Sequence, residues 1–150
     1  MRKSVFEGMV NRAFGELEGK FGFKKIETKY EDRGVTVLYR NETTELCLNY
    51  EIGDTPWIEI SDVKNTKNKT TLGWLLVELG EQKVPTAAQA FRATPLAEDK
   101  LGAALMTMGQ QITKNGTDLL RGDFSILPRL QERAKKYDQE CKRYLTTHKS

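Results

Sequence analysis

The stretch KKIETKYEDRGVTVLYRNETTELCLNYEIGDTPWIEISD, residues 24–62, decides the fold. Val35, Val37 and Tyr39 alternate with Thr36, Leu38 and Arg40. Leu46, Leu48 and Tyr50 alternate with Glu45, Cys47, Asn49 and Glu51. A period of two puts apolar side chains on one face of a strand and polar ones on the other. Ile26, Thr28 and Tyr30 mark a strand before these two, and Trp57-Ile58-Glu59-Ile60-Ser61 marks one after. The connections Glu31–Gly34, Asn41–Thr43 and Gly53–Pro56 are short and rich in turn-forming residues. The pattern predicts a four-stranded antiparallel meander with one apolar face.

On both sides the apolar period changes to that of a helix. Val5, Phe6, Met9, Val10, Ala13, Phe14 and Leu17 form one stripe before Gly19 and Gly22. After the meander, residues 64–70 read as a solvated loop rich in lysine and asparagine. Leu72, Leu75, Leu76 and Leu79 mark a short helix ended by Gly80. Residues 81–93 read as loop with one helical turn. Thr94-Pro95 reads as the cap and first residue of a helix carrying Leu101, Leu105, Met108 and Ile112. A further turn covers Asp118 to Arg121, and Asp123 or Ser125 is placed to cap the last helix. That helix, from about Ser125 to Thr146, carries Leu127, Leu130, Ala134, Tyr137, Cys141 and Tyr144 at alternating spacings of three and four. The expected fold is one α+β domain, residues 1–150: an N-terminal helix, a four-stranded meander, and C-terminal helices packed on one sheet face.

Composition narrows the function classes. The chain has 150 residues, 38% apolar and 30% charged. No apolar run is longer than that from Trp74 to Val77, far short of the roughly 20 residues of a membrane span. Glu7, Asn11 and Arg12 interrupt any apolar core that a secretion signal would need after Met1. A cytoplasmic protein with no membrane contact is expected. Its two cysteines, Cys47 and Cys141, lie far apart and read as ordinary thiols. His148 is the only histidine and stands near the chain end, so neither a nucleophile–histidine apparatus nor a metal centre is expected. No glycine-rich phosphate loop occurs, and no cofactor is implied. A non-enzyme is the expectation.

Charge is unevenly spread. The net charge is only +3, yet Glu42, Glu45, Glu51, Asp54, Glu59 and Asp62 fall between residues 41 and 63 with no Lys or Arg among them. In the meander, Glu45, Glu51 and Glu59 share the polar face with Trp57, Leu38 and Cys47. A tryptophan amid carboxylates reads as a contact surface, so Glu45, Glu51, Trp57 and Glu59 are the candidate partner-binding residues. Lys64, Lys67 and Lys69 are the alternative, a phosphate-binding loop that would act with the basic last helix. They lack an aromatic between Trp57 and Trp74 on which bases could stack, so nucleic acid is the less favoured partner.

The segment Asp118-Leu119-Leu120-Arg121-Gly122-Asp123-Phe124-Ser125 before a basic helix resembles the tail of small bacterial proteins. Some of these are similar to immunity proteins of contact-dependent or polymorphic toxin systems. The N-terminal helix, the Gly22-Phe23 pair and a meander with Tyr39 and Tyr50 near strand ends share that layout. The resemblance implies a non-catalytic inhibitor that neutralises a toxin. Together with the acidic face, it leads to the expectation of a protein-binding module that meets a basic protein partner, such as a toxin nuclease.

Overall fold

The computed structural model describes residues 2–91 and 95–147. The expected cap Thr94 and His148 lie outside the described residues. Helix α1 (Lys3–Phe21) buries Phe6, Val10, Phe14, Leu17 and Phe21, while Val5 points outward and is half exposed. Gly22 ends α1 in the left-handed region at φ 71°, and its N–H and that of Phe23 both reach the Leu17 carbonyl.

Five strands follow in chain order: β1 (Lys24–Glu31), β2 (Gly34–Arg40), β3 (Thr44–Glu51), β4 (Trp57–Asp62) and β5 (Asn65–Thr71). Every neighbouring pair is antiparallel. The expectation of four strands is therefore one short, and the loop assigned to residues 64–70 is mostly strand. The polar sequence of β5 hid it. An edge strand needs hydrogen bonds from one neighbour and little apolar burial, and lysines are favoured there because they block further pairing. Only Thr70 of β5 is buried. A two-residue turn, Val63-Lys64, joins Asp62 to Asn65, and Asp62 Oδ1 accepts from the Lys64 N–H.

Ile26 is a second correction. The β1–β2 register slips between Lys25 and Glu27, so Ile26 is the extra residue of a bulge and is 51% exposed rather than facing the core.

After β5 the chain enters α2 (Leu72–Glu78), whose cap Thr71 accepts the Trp74 N–H. Helix α3 (Ala87–Phe91) is the single turn expected in this region; Thr86 and Gln89 exchange side-chain to backbone hydrogen bonds at its start. Helix α4 spans Leu101–Asn115, α5 spans Thr117–Leu120 and α6 spans Leu127–Thr147. The helix expected to open at Pro95 thus starts later. Leu96 N–H is drawn to the Gly53 carbonyl and a 3₁₀ turn, Glu98–Lys100, intervenes.

One core cluster joins α1, α2, α4, α5 and the start of α6 to the inner sheet residues Val35, Val37, Tyr39, Leu46, Leu48, Tyr50, Ile58 and Ile60. Helices α1 and α4 cross closely, because a Cβ on Gly109 would stand 2.0 Å from the Ala13 carbonyl oxygen. Helix α6 packs beside α2, α3 and β5, and Gln131 donates to the Lys69 carbonyl. Its stripe is buried only at Leu127 and Leu130; Ala134, Tyr137, Cys141 and Tyr144 are half-buried. Among the described residues no helix is long and apolar enough to cross a membrane.

Candidate functional site

Sheet register fixes which side chains share the outer face. Arg40 stands opposite Glu45, Leu38 opposite Cys47 and Thr36 opposite Asn49. On the other side of β3, Ser61 faces Glu45, Glu59 faces Cys47 and Trp57 faces Asn49. Strand β1 adds Lys24, Glu27 and Lys29, and β5 adds Lys69 and Thr71. Glu45, Glu51, Trp57 and Glu59 are therefore brought to one face of two adjacent strands. Most of this face is half-buried or exposed, in contrast to the buried inner face, and Trp57 is 37% exposed.

The charges on it are not free. Arg40 Nη2 lies 2.5 Å from Glu45 Oε1, and Lys69 Nζ lies 2.8 Å from Glu59 Oε2. Lys29 and Glu31 approach to 3.6 Å at the β1 edge. Glu45 and Glu59 are diagonal neighbours, a placement in which like charges repel, and one cation held by each offsets that repulsion. Glu51 sits opposite Gly34 and has no ion-pair partner among the described residues. The hydrogen bond that Lys69 donates to Glu59 holds its ammonium above the ordinary pKa. Burial, and next the Glu59 charge, push the Cys47 thiol up, so it stays protonated at neutral pH and is a poor nucleophile.

Glu45, Glu51 and Glu59, three of the six acids in the acidic stretch of the sequence, thus lie within a face of mixed sign. Its cations come from outside that stretch, from Arg40 and from Lys69. Arg40 was legible as a neighbour once the strands were paired. Lys69 was not, because its segment read as a loop. The alternative trio Lys64, Lys67 and Lys69 occupies the β4–β5 hairpin, where Lys64 is in the turn and Lys69 is bound to Glu59.

The outer face has an apolar centre of Leu38 and Cys47, bordered by Trp57 and by the ion pairs. At its Trp57 end a shallow hollow of about 370 Å³ is lined by Asn49 and by three carboxylates, Glu31, Asp32 and Glu51, with one cation, Arg33. This arrangement can hold a complementary surface through one large aromatic and several charged hydrogen bonds. No family model, no curated protein and no solved structure matches this chain.

Proposed function

We propose that the protein is a non-catalytic protein-binding module whose outer sheet face, centred on Trp57 with Glu45, Glu51 and Glu59, meets a basic protein partner. An inhibitor of a toxin is the form this takes. The observation that carries the reading is Trp57: a 37% exposed tryptophan on an open face bordered by charged residues. Large aromatics that lose their water on contact supply much of the energy of interfaces. Glu51, without an ion pair among the described residues, and the hollow beside it, where three carboxylates outnumber Arg33, give the basic partner a place to approach, and complementary potential speeds and orients the encounter. The ion pairs Arg40–Glu45 and Lys69–Glu59 can be exchanged for pairs across the interface, since exposed pairs hold by only about 1 kcal/mol or less.

The test is capture of a partner by the immobilised protein from its native host. A basic protein should be retained by the unaltered chain and lost with Trp57→Ala, while Trp57→Ala still folds cooperatively. A Lys64→Ala, Lys67→Ala protein, which keeps the Lys69–Glu59 pair of the binding face, should capture it equally well. Retention of nucleic acid at about 0.15 M salt, abolished by the lysine changes, would overturn the reading in favour of phosphate binding.

A further inference from the structure

A second concave surface lies around the corner from the outer face and has a topological cause. Strand β5 leaves the sheet at Thr71, opposite Glu59, and turns directly into α2. Strand β4 begins two residues earlier, so Trp57 and Ile58 run past the end of their neighbour. The gap between β4, α2 and α4 is a groove of about 540 Å³. Its apolar walls come from Trp57, Ile58, Leu72, Leu76, Ala104 and Met108.

The lining has one unusual property. The chain is 30% charged, yet none of the described residues that line the groove carries a charge. Its polar groups are hydroxyls and amides. Thr71 Oγ1 is occupied as the α2 cap and Thr107 Oγ1 donates to the Ala103 carbonyl. The side-chain amides of Gln82 and Gln111, which also line the groove, make no hydrogen bond among the described residues.

We infer that this groove binds an uncharged, flat, amphipathic small molecule. Four observations set that class. The volume lies within the roughly 300–1,000 Å³ of ligand sites. An ion entering it would lose water without meeting a counter-charge, which disfavours charged ligands. The two amides each offer a donor and an acceptor, which suits carbonyl, amide or hydroxyl groups on one edge of a ring system. Trp57 lines the groove and supplies an aromatic surface on which a flat ligand can stack.

N-phenyl-1-naphthylamine, neutral and flat, is the probe, and its anionic relative 8-anilinonaphthalene-1-sulfonate is the control. Trp57 and Trp74 are the two tryptophans, so a Trp74→Phe protein makes Trp57 the sole indole reporter. The neutral probe should bind saturably and quench Trp57, and at least about ten-fold more tightly than the anionic one. Ala104→Phe, which fills the groove, should weaken the neutral probe by about ten-fold or more. Gln111→Lys should do the same by placing a charge on the wall, and it keeps the test decisive if Ala104→Phe does not fold. The Glu45, Glu51 and Glu59 substitutions should leave probe binding unchanged, which separates this site from the outer face. Equal binding of the two probes, or neutral-probe binding unaffected in a folded groove variant, would overturn the assignment.

Discussion

At the scale of single residues, Asn41 does more than its place in a turn suggests. Its Oδ1 accepts from the N–H groups of Thr43 and Thr44 and from the Thr43 hydroxyl. Its Nδ2 donates to the carbonyls of Phe21 and Leu120, at the ends of α1 and α5. The last carbonyls of a helix have no partner inside it, so one amide here closes two helix ends and a β-turn together. The neighbouring Thr44, fully buried, donates to the Leu119 carbonyl at 2.6 Å and strengthens the same junction. Asn41→Ala should cost about 2–3 kcal/mol, because it leaves several partly buried groups unpaired. Urea unfolding should show this as a lower midpoint with unchanged slope. Asn41→Asp keeps the acceptor but sets a carboxylate oxygen against the two helix-end carbonyls, so it should destabilise at least as much. The sequence marked Asn41 as a turn residue and no more. Two of its partners lie 20 and 79 positions away, and pairing of that kind leaves no local pattern.

At the scale of elements, legibility followed apolar periodicity. Strands β2, β3 and β4 were plain because alternate side chains are buried, and α1 was plain because its stripe is. Strand β5 was missed because an edge strand with one buried side chain has no such alternation. The position of α6 was only half legible. Its 3-4 stripe runs the length of the helix, but burial fades after Leu130, since the helix outruns the elements it packs against. Leu130, fully buried, and Leu145, 52% exposed, should therefore differ sharply. Leu130→Asp should unfold the protein, as it puts a carboxylate into apolar packing, whereas Leu145→Asp should change stability by less than about 0.5 kcal/mol. Thermal melts of the two variants check this. Outside the core, α6 is tied to α2 by Glu78, which lies 2.9 Å from Arg129 and 2.5 Å from Arg133. The hydrogen bond from Arg129, then that from Arg133, holds the Glu78 carboxyl below its ordinary value of 4.5. A depressed carboxyl stabilises the fold above its unfolded pKa, and that contribution is lost as pH falls through the folded value. Stability measured from pH 6 downward should therefore decline below about pH 4.5. In Glu78→Gln that acid limb should be shallower, and an identical limb in both proteins would remove Glu78 from the account.

At the scale of the whole molecule, one face of the sheet is sealed by helices and the other stays open. The strand register brings three of the six acids of the sequence's most acidic stretch, Glu45, Glu51 and Glu59, onto the open face, beside cations from β2 and β5. The segregated charge visible in the sequence is therefore partly cancelled in space, while Glu51 and, on β1, Glu27 remain on that face without an ion pair among the described residues. The Arg40–Glu45 pair follows from the β2–β3 register alone, whereas the Lys69–Glu59 pair depends on β5. Electrostatic reading of the sequence could reach the first and not the second. The central claim is that the open face holds a protein partner through Trp57 and its surrounding carboxylates. Converting Glu45, Glu51 and Glu59 together to Gln tests it most directly, with partner affinity and unfolding free energy measured on the same protein. Exposed ion pairs contribute about 0.2–1 kcal/mol each, and glutamine retains hydrogen-bonding capacity, so stability should drop by less than about 2 kcal/mol and the fold should persist. Affinity for the captured basic partner should fall by about ten-fold or more, the equivalent of ~1.4 kcal/mol. A folded triple variant whose affinity stays within about two-fold of the unaltered protein would contradict the claim and leave the face a solvated surface.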